Sequence, residues 1–188
     1  MSAMFSVAEL LESAVHRTAV AHGLGFWDCS TEGGNVWWPP EQSYAHEEHP
    51  HLTLMVESEA TATGPSDALI AASVDWLSHG RGPSFVVLED ERGDYLQAAG
   101  GAEGLTLEWR RWGKAGVGGE FWHGVAAHDG DESGELVALP GRTRSFPILP
   151  NERLSGTEVR EALLASANGT SLEDRFVWHD ITEQLAKK

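Results

Sequence analysis

The stretch SFVVLEDERGDYLQAAGGAEGLTLEWRRW, Ser84 to Trp112, decides the fold. It opens with Phe85-Val86-Val87-Leu88, branched and planar side chains that suit a pleated, half-buried surface. Glu89-Asp90-Glu91-Arg92-Gly93-Asp94 follows, too charged to bury and carrying a glycine where a turn needs one. Tyr95 to Ala99 returns as a second short strand, and Gly100-Gly101 reads as a break. Leu105, Leu107 and Trp109 then alternate with Thr106, Glu108 and Arg110, a period of two that sends apolar side chains to one face. The pattern predicts an α+β fold: an antiparallel meander centred on residues 85–112, with helices covering its apolar face.

Working outward, three segments carry helical signals. Ser6-Val7-Ala8-Glu9 is a capping box ahead of Val7, Leu10, Leu11, Ala14 and Val15, which share one helical face. Pro65-Ser66-Asp67 starts a helix with Leu69, Ile70, Val74 and Leu77 in its stripe, and Ser155-Gly156-Thr157-Glu158 starts another with Val159, Ala162, Leu163 and Ala167. The expected helices are 6–22, 66–79 and 155–167. Further strands are expected at 26–29, 35–38, 52–57, 121–128, 136–139 and 176–178. With 188 residues, no repeat and no long linker, the chain reads as one domain, 1–188, in which 1–64 could be an N-terminal extension to the core.

Composition limits the function classes. A hydrophobic fraction of 41% with eight tryptophans supports a packed core. The single Cys29 excludes an internal disulfide and a cysteine-based zinc cluster. The N-terminus places Glu9 and Glu12 where a leader would be apolar, and no run approaches the roughly 20 apolar residues that span a bilayer, so a cytoplasmic protein is expected. The formal charge is −16, and no Lys or Arg occurs between Arg17 and Arg81. Such a surface repels nucleic acid and anionic membranes and steers a basic protein partner.

The strongest catalytic candidate is His46-Glu47-Glu48-His49-Pro50-His51, in which His46, His49 and His51 could hold a divalent metal. Pro50 removes the helical i, i+4 ligand face, so a solvated acidic loop is the expectation, with no cofactor. His123, His128 and His179 could meet in space, but histidines on strands are more often satisfied structural residues. Cys29 lacks a neighbouring positive charge to activate it. A binding surface reads better: Glu47 and Glu48 in one acidic loop, Asp90 and Glu91 in another, and Trp37-Trp38, whose adjacent rings point to opposite faces of a strand.

From about Phe85 onward the chain resembles an immunity-protein family of bacterial polymorphic toxin systems, one often encoded beside deaminase-type toxins. The shared order is a strand pair (Phe85-Val86-Val87-Leu88 and Tyr95-Leu96-Gln97), the Leu105–Trp109 strand and Phe146-Pro147. A capped helix with Val159-Arg160 and Ala162-Leu163, then Gly169, and a terminal strand carrying Trp178 complete it. Gly113 to Glu135 is an insert relative to that order. The resemblance implies an α+β fold, a core role for Trp178, and a non-enzymatic function: binding and neutralising a cognate toxin. The alternatives are a metal-dependent enzyme built on the His46/His49/His51 loop, and a regulatory interaction domain without a toxin partner.

Overall fold

The computed structural model of the chain describes residues 26–28, 36–38, 48–57, 59, 61–79, 82–113, 121–130, 134–141 and 145–185. Strands β1 (Phe26–Asp28) and β2 (Val36–Trp38) pair antiparallel, with Trp27 opposite Trp37. Next come β3 (Leu52–Val56), β4 (Ala62–Thr63) and helix α1 (Asp67–Ser78). The meander follows as β5 (Phe85–Asp90), β6 (Tyr95–Gly101) and β7 (Gly104–Trp112), extended by β8 (Phe121–Ala127). A separate hairpin, β9 (Val137–Pro140) with β10 (Ser145–Ile148), precedes a 3-10 turn at Pro150–Glu152. Helix α2 (Gly156–Ala167), strand β11 (Val177–Asp180) and the single-turn helix α3 (Thr182–Leu185) close the described chain.

Seven strands form one antiparallel sheet in the order β11–β8–β7–β6–β5–β3–β4. The fold is therefore the expected α+β sheet, with the meander at its centre. The helix expected at 6–22 lies outside the described residues. Strands β3 and β4 join this sheet at the β5 edge.

Both long helices form where local chemistry starts them. The Ser66 hydroxyl accepts from the Leu69 amide (3.2 Å), and Ser155 accepts from Glu158 N (3.2 Å) while the Glu158 carboxylate accepts from Ser155 N (2.8 Å). Their stripes, Leu69, Ile70, Val74 and Leu77 on α1 and Val159, Ala162, Leu163 and Ala167 on α2, are buried as the spacing predicts. They pack on the sheet face that carries Leu54, Val86, Leu88, Leu96, Leu105 and Leu107. Each fully buried leucine or isoleucine there contributes about 1.5–3 kcal/mol. Gly169, at φ +73°, lets the chain leave α2.

The opposite face of the sheet is mixed, with Gln97, Thr106, Glu108 and Arg110 beside Phe85, Val87 and Val125. It is partly roofed by the β9–β10 hairpin, which rests on β6 and buries Leu139 and Ile148 with Ala99. Gly100 does not break β6. The strand runs through Gly100, which pairs with Leu105, and the turn is only Ala102–Glu103. Gly100 has φ +136°, and a Cβ there would collide with the Gly104 carbonyl, so glycine permits the close approach of the two strands.

Trp178 closes the helix-face core at the β11 edge. Its ring lies 5.0 Å from that of Trp109 and 6.2 Å from Trp122, and its indole N–H donates to the Leu172 carbonyl (3.0 Å). It packs against the buried core but is itself only half-buried, so its core role is that of an edge plug.

Candidate functional site

The β5–β6 turn is held by its own charges. One oxygen of Asp90 accepts from the amides of Arg92 (2.8 Å) and Asp94 (3.0 Å), and Gly93 adopts φ +82° to complete the reversal. Asp94 in turn accepts from the Trp112 amide (2.6 Å), clamping β7 beside the turn. Since Leu52 pairs with Asp90 across β3 and β5, the loop at 48–51 comes to the same end of the sheet. There the Glu48 carboxylate accepts from the Asp67 amide (2.8 Å) at the start of α1, and His49 bonds Asp67 at 2.7 Å. Asn168, at the end of α2, donates to the same Asp67 oxygen (3.3 Å), tying both helices to this end.

Between the turn and the α2–β11 connection lies a cleft of about 370 Å³. Its floor is apolar, formed by Leu88, Leu96 and Trp109, and its rim carries Asp90, Asp94, Glu173 and His51. Arg111 also lines it, but lies across the Trp109 ring (4.6 Å) and is paired with Glu173 at 2.6 Å. The C-terminal residues of α2 complete the wall, adding the negative end of a helix whose last turn has no basic residue. The cleft thus favours a positively charged group with an apolar stem.

Of the residues singled out from sequence, Glu48 and Glu91 are exposed and Asp90 is half-buried by its turn bonds. Glu48 and Asp90 are brought to one end of the sheet. Glu47 and His46 lie outside the described residues, as do the side chains of Trp37 and Trp38, whose strand is described only through its pairing with β1.

The histidine loop assembles differently from the expected set. The groups that gather are Glu48, His49 and Asp67, whose ligand atoms lie within 4.8 Å of one another, while His51 is exposed and meets His49 edge-on at 6.4 Å. The geometry reads as a helix cap. Glu48 is bonded to the first amide of α1, where the dipole is positive and a metal cation is disfavoured, and buried His49 is bonded to Asp67.

His123 and His179 on strands, and His128 just after β8, each bind a different carboxylate: His123 with Glu108 (3.1 Å), His179 with Glu152 (2.8 Å) and His128 with Glu158 (3.6 Å). Sequence reasoning passed over the partners. Tyr95 donates to the same Glu108 oxygen as His123 (2.7 Å), and burial, with that bond and the Glu108 charge, raises the phenol above its ordinary pKa. The Arg110 guanidinium sits 4.3 Å from both the Tyr95 and Phe121 ring centres and pairs with Glu89 (3.0 Å). The alternation Thr106-Glu108-Arg110 was the available signal, since it placed all three on the polar face.

No protein-family model matches the chain, and neither a curated protein nor a solved structure matches it.

Proposed function

We propose that this chain is an immunity protein that binds and neutralises a basic cognate bacterial toxin, using the acidic end of its sheet. The observation that carries this reading is the meeting of the 48–51 loop, the β5–β6 turn and Glu173 around one cleft with an apolar floor. A rim of Asp90 and Asp94 over Leu88 and Leu96, beside the Arg111 that already covers Trp109 and pairs with Glu173, suits a lysine or arginine whose stem packs while its charge pairs. The overall charge of −16 supplies long-range attraction to such a partner. By covering the basic groove with which a toxin holds phosphates, the protein would block the toxin without chemistry of its own. The metal-enzyme alternative has less support, because the gathered ligands already cap α1.

The test is co-expression with the neighbouring gene product, followed by association kinetics at two salt concentrations. Association is expected to slow steeply with salt, since charges are screened within about 8 Å at physiological ionic strength. Glu91→Lys should lower the association rate without touching the fold, because Glu91 is exposed and outside the turn's hydrogen bonds. No complex, or binding indifferent to both salt and Glu91→Lys, overturns the proposal.

A further inference from the structure

The face of the sheet opposite the acidic cleft holds a second cavity. Where the β9–β10 hairpin and the 3-10 turn roof strands β6 and β7, a space of about 290 Å³ remains. It is partly open to solvent, since Gln97, Thr106, Glu108 and Phe146 on its walls are half-buried and Pro147 is exposed. At about 30 Å³ per molecule of liquid water, it would hold roughly ten.

Its walls divide into two kinds. Phe146 and Ile148 of β10 are apolar, whereas Gln97, Thr106, Glu108 and Glu152 are polar. Gln97 faces Glu108 directly across the β6–β7 ladder, so the two side chains stand about 4.5–5.5 Å apart at Cβ. Neither the Gln97 amide nor the Thr106 hydroxyl has a hydrogen-bonding partner among the described residues. Glu152, 7% exposed, is held rigid by His179 and by the Leu149 amide (2.8 Å). Glu108 is fixed by Tyr95 and His123 through one oxygen. Neither Lys nor Arg is among the described residues lining the cavity, and Arg110 is turned away to Glu89 and the Gly93 carbonyl.

Charge decides the class of occupant. An anion entering would meet two carboxylates, with no Lys or Arg among the described lining residues to pair it, and desolvation would add several kcal/mol. A neutral apolar molecule would leave Gln97 and Thr106 unpaired, at about 1–3 kcal/mol for each group so buried. A primary ammonium satisfies both conditions: it has three donors and one positive charge, and acceptors are available on Glu108, Gln97 and Thr106. We infer that this cavity binds a small organic ammonium, its charge among Glu108, Gln97 and Thr106 and its short apolar stem against Phe146 and Ile148. The site does not depend on the toxin reading, since it lies on the other face of the sheet from the cleft.

The experiment titrates the full chain with phenethylamine and, separately, with phenylpropionate, a similarly shaped anion. The readouts are NMR shifts of the Gln97 side-chain amide and the Ile148 methyls. Saturable shifts at both positions are expected with the amine alone, with a Kd of roughly 1 mM or tighter. Glu108→Gln should weaken the amine about tenfold, which is about 1.4 kcal/mol. Gln97→Leu serves as a second variant, because Gln97 has no described protein bond to lose, and it should weaken binding in the same direction. Non-saturating shifts, equal binding of phenylpropionate, or unchanged affinity in Gln97→Leu overturns the assignment.

Discussion

Removing the Trp178 ring tests how the β11 edge is held. The ring touches Trp109, Trp122 and Phe176, with centroids at 5.0, 6.2 and 5.8 Å, and its indole N–H satisfies the Leu172 carbonyl. A fully buried aromatic replaced by alanine costs about 3–5 kcal/mol. Trp178 is half-buried, so the packing loss is about half of that, near 2 kcal/mol. Losing the indole bond adds about 1 kcal/mol, and the Leu172 carbonyl keeps its bond from the Arg175 amide (3.1 Å). Trp178→Ala should therefore destabilise the protein by about 3 kcal/mol in a urea titration read at constant m-value. Trp178→Phe keeps most of the ring packing and drops only the N–H, so about 1 kcal/mol is expected. An alanine effect under about 1 kcal/mol, or equal effects of the two substitutions, would show that the ring is peripheral to the edge.

Asp90→Ala should cost about 1–3 kcal/mol because a charged acceptor for two turn amides is lost, whereas Glu91→Ala should stay within about 0.5 kcal/mol; equal effects in denaturant titrations would contradict the described turn. Tyr95 has a raised pKa in the folded state, so its contribution is complete below the unfolded value of about 10 and is lost as pH climbs through the folded one. Stability should then fall with pH above about 10 more steeply in the wild type than in Tyr95→Phe, and parallel curves would count against the Tyr95–Glu108 bond. Zinc or manganese at stoichiometric levels should leave the melting temperature unchanged if Glu48 and His49 serve as a cap. A rise abolished by His49→Ala would return the cluster to the metal reading.

The elements legible in the sequence are those whose signals are local. The stripes and caps of α1 and α2 depend on residues three and four apart, and the alternation of Leu105, Leu107 and Trp109 depends on residues two apart. What was not legible depends on register. Glu108 meets Tyr95 and His123 only because β7 pairs Arg110 with both Tyr95 and His123, which places Glu108 one pleat along on the same face. A slip of one residue would turn Glu108 into the leucine-rich core, and no pattern within β7 alone names its partners. The same holds for the acidic end. Glu48 and Asp90 are far apart along the chain, and their proximity follows from the β3–β5 pairing that sets Leu52 against Asp90. Net charge therefore predicts attraction to a basic partner but not where it docks, since the same carboxylates moved to another edge would give the same total. The discriminating measurement compares charge reversals of equal size at different places. Glu91→Lys, beside the cleft, should slow association more than Glu183→Lys on α3, which starts just after β11 at the far edge of the sheet. Equal slowing by both would mean that the partner responds to total charge rather than to the cleft.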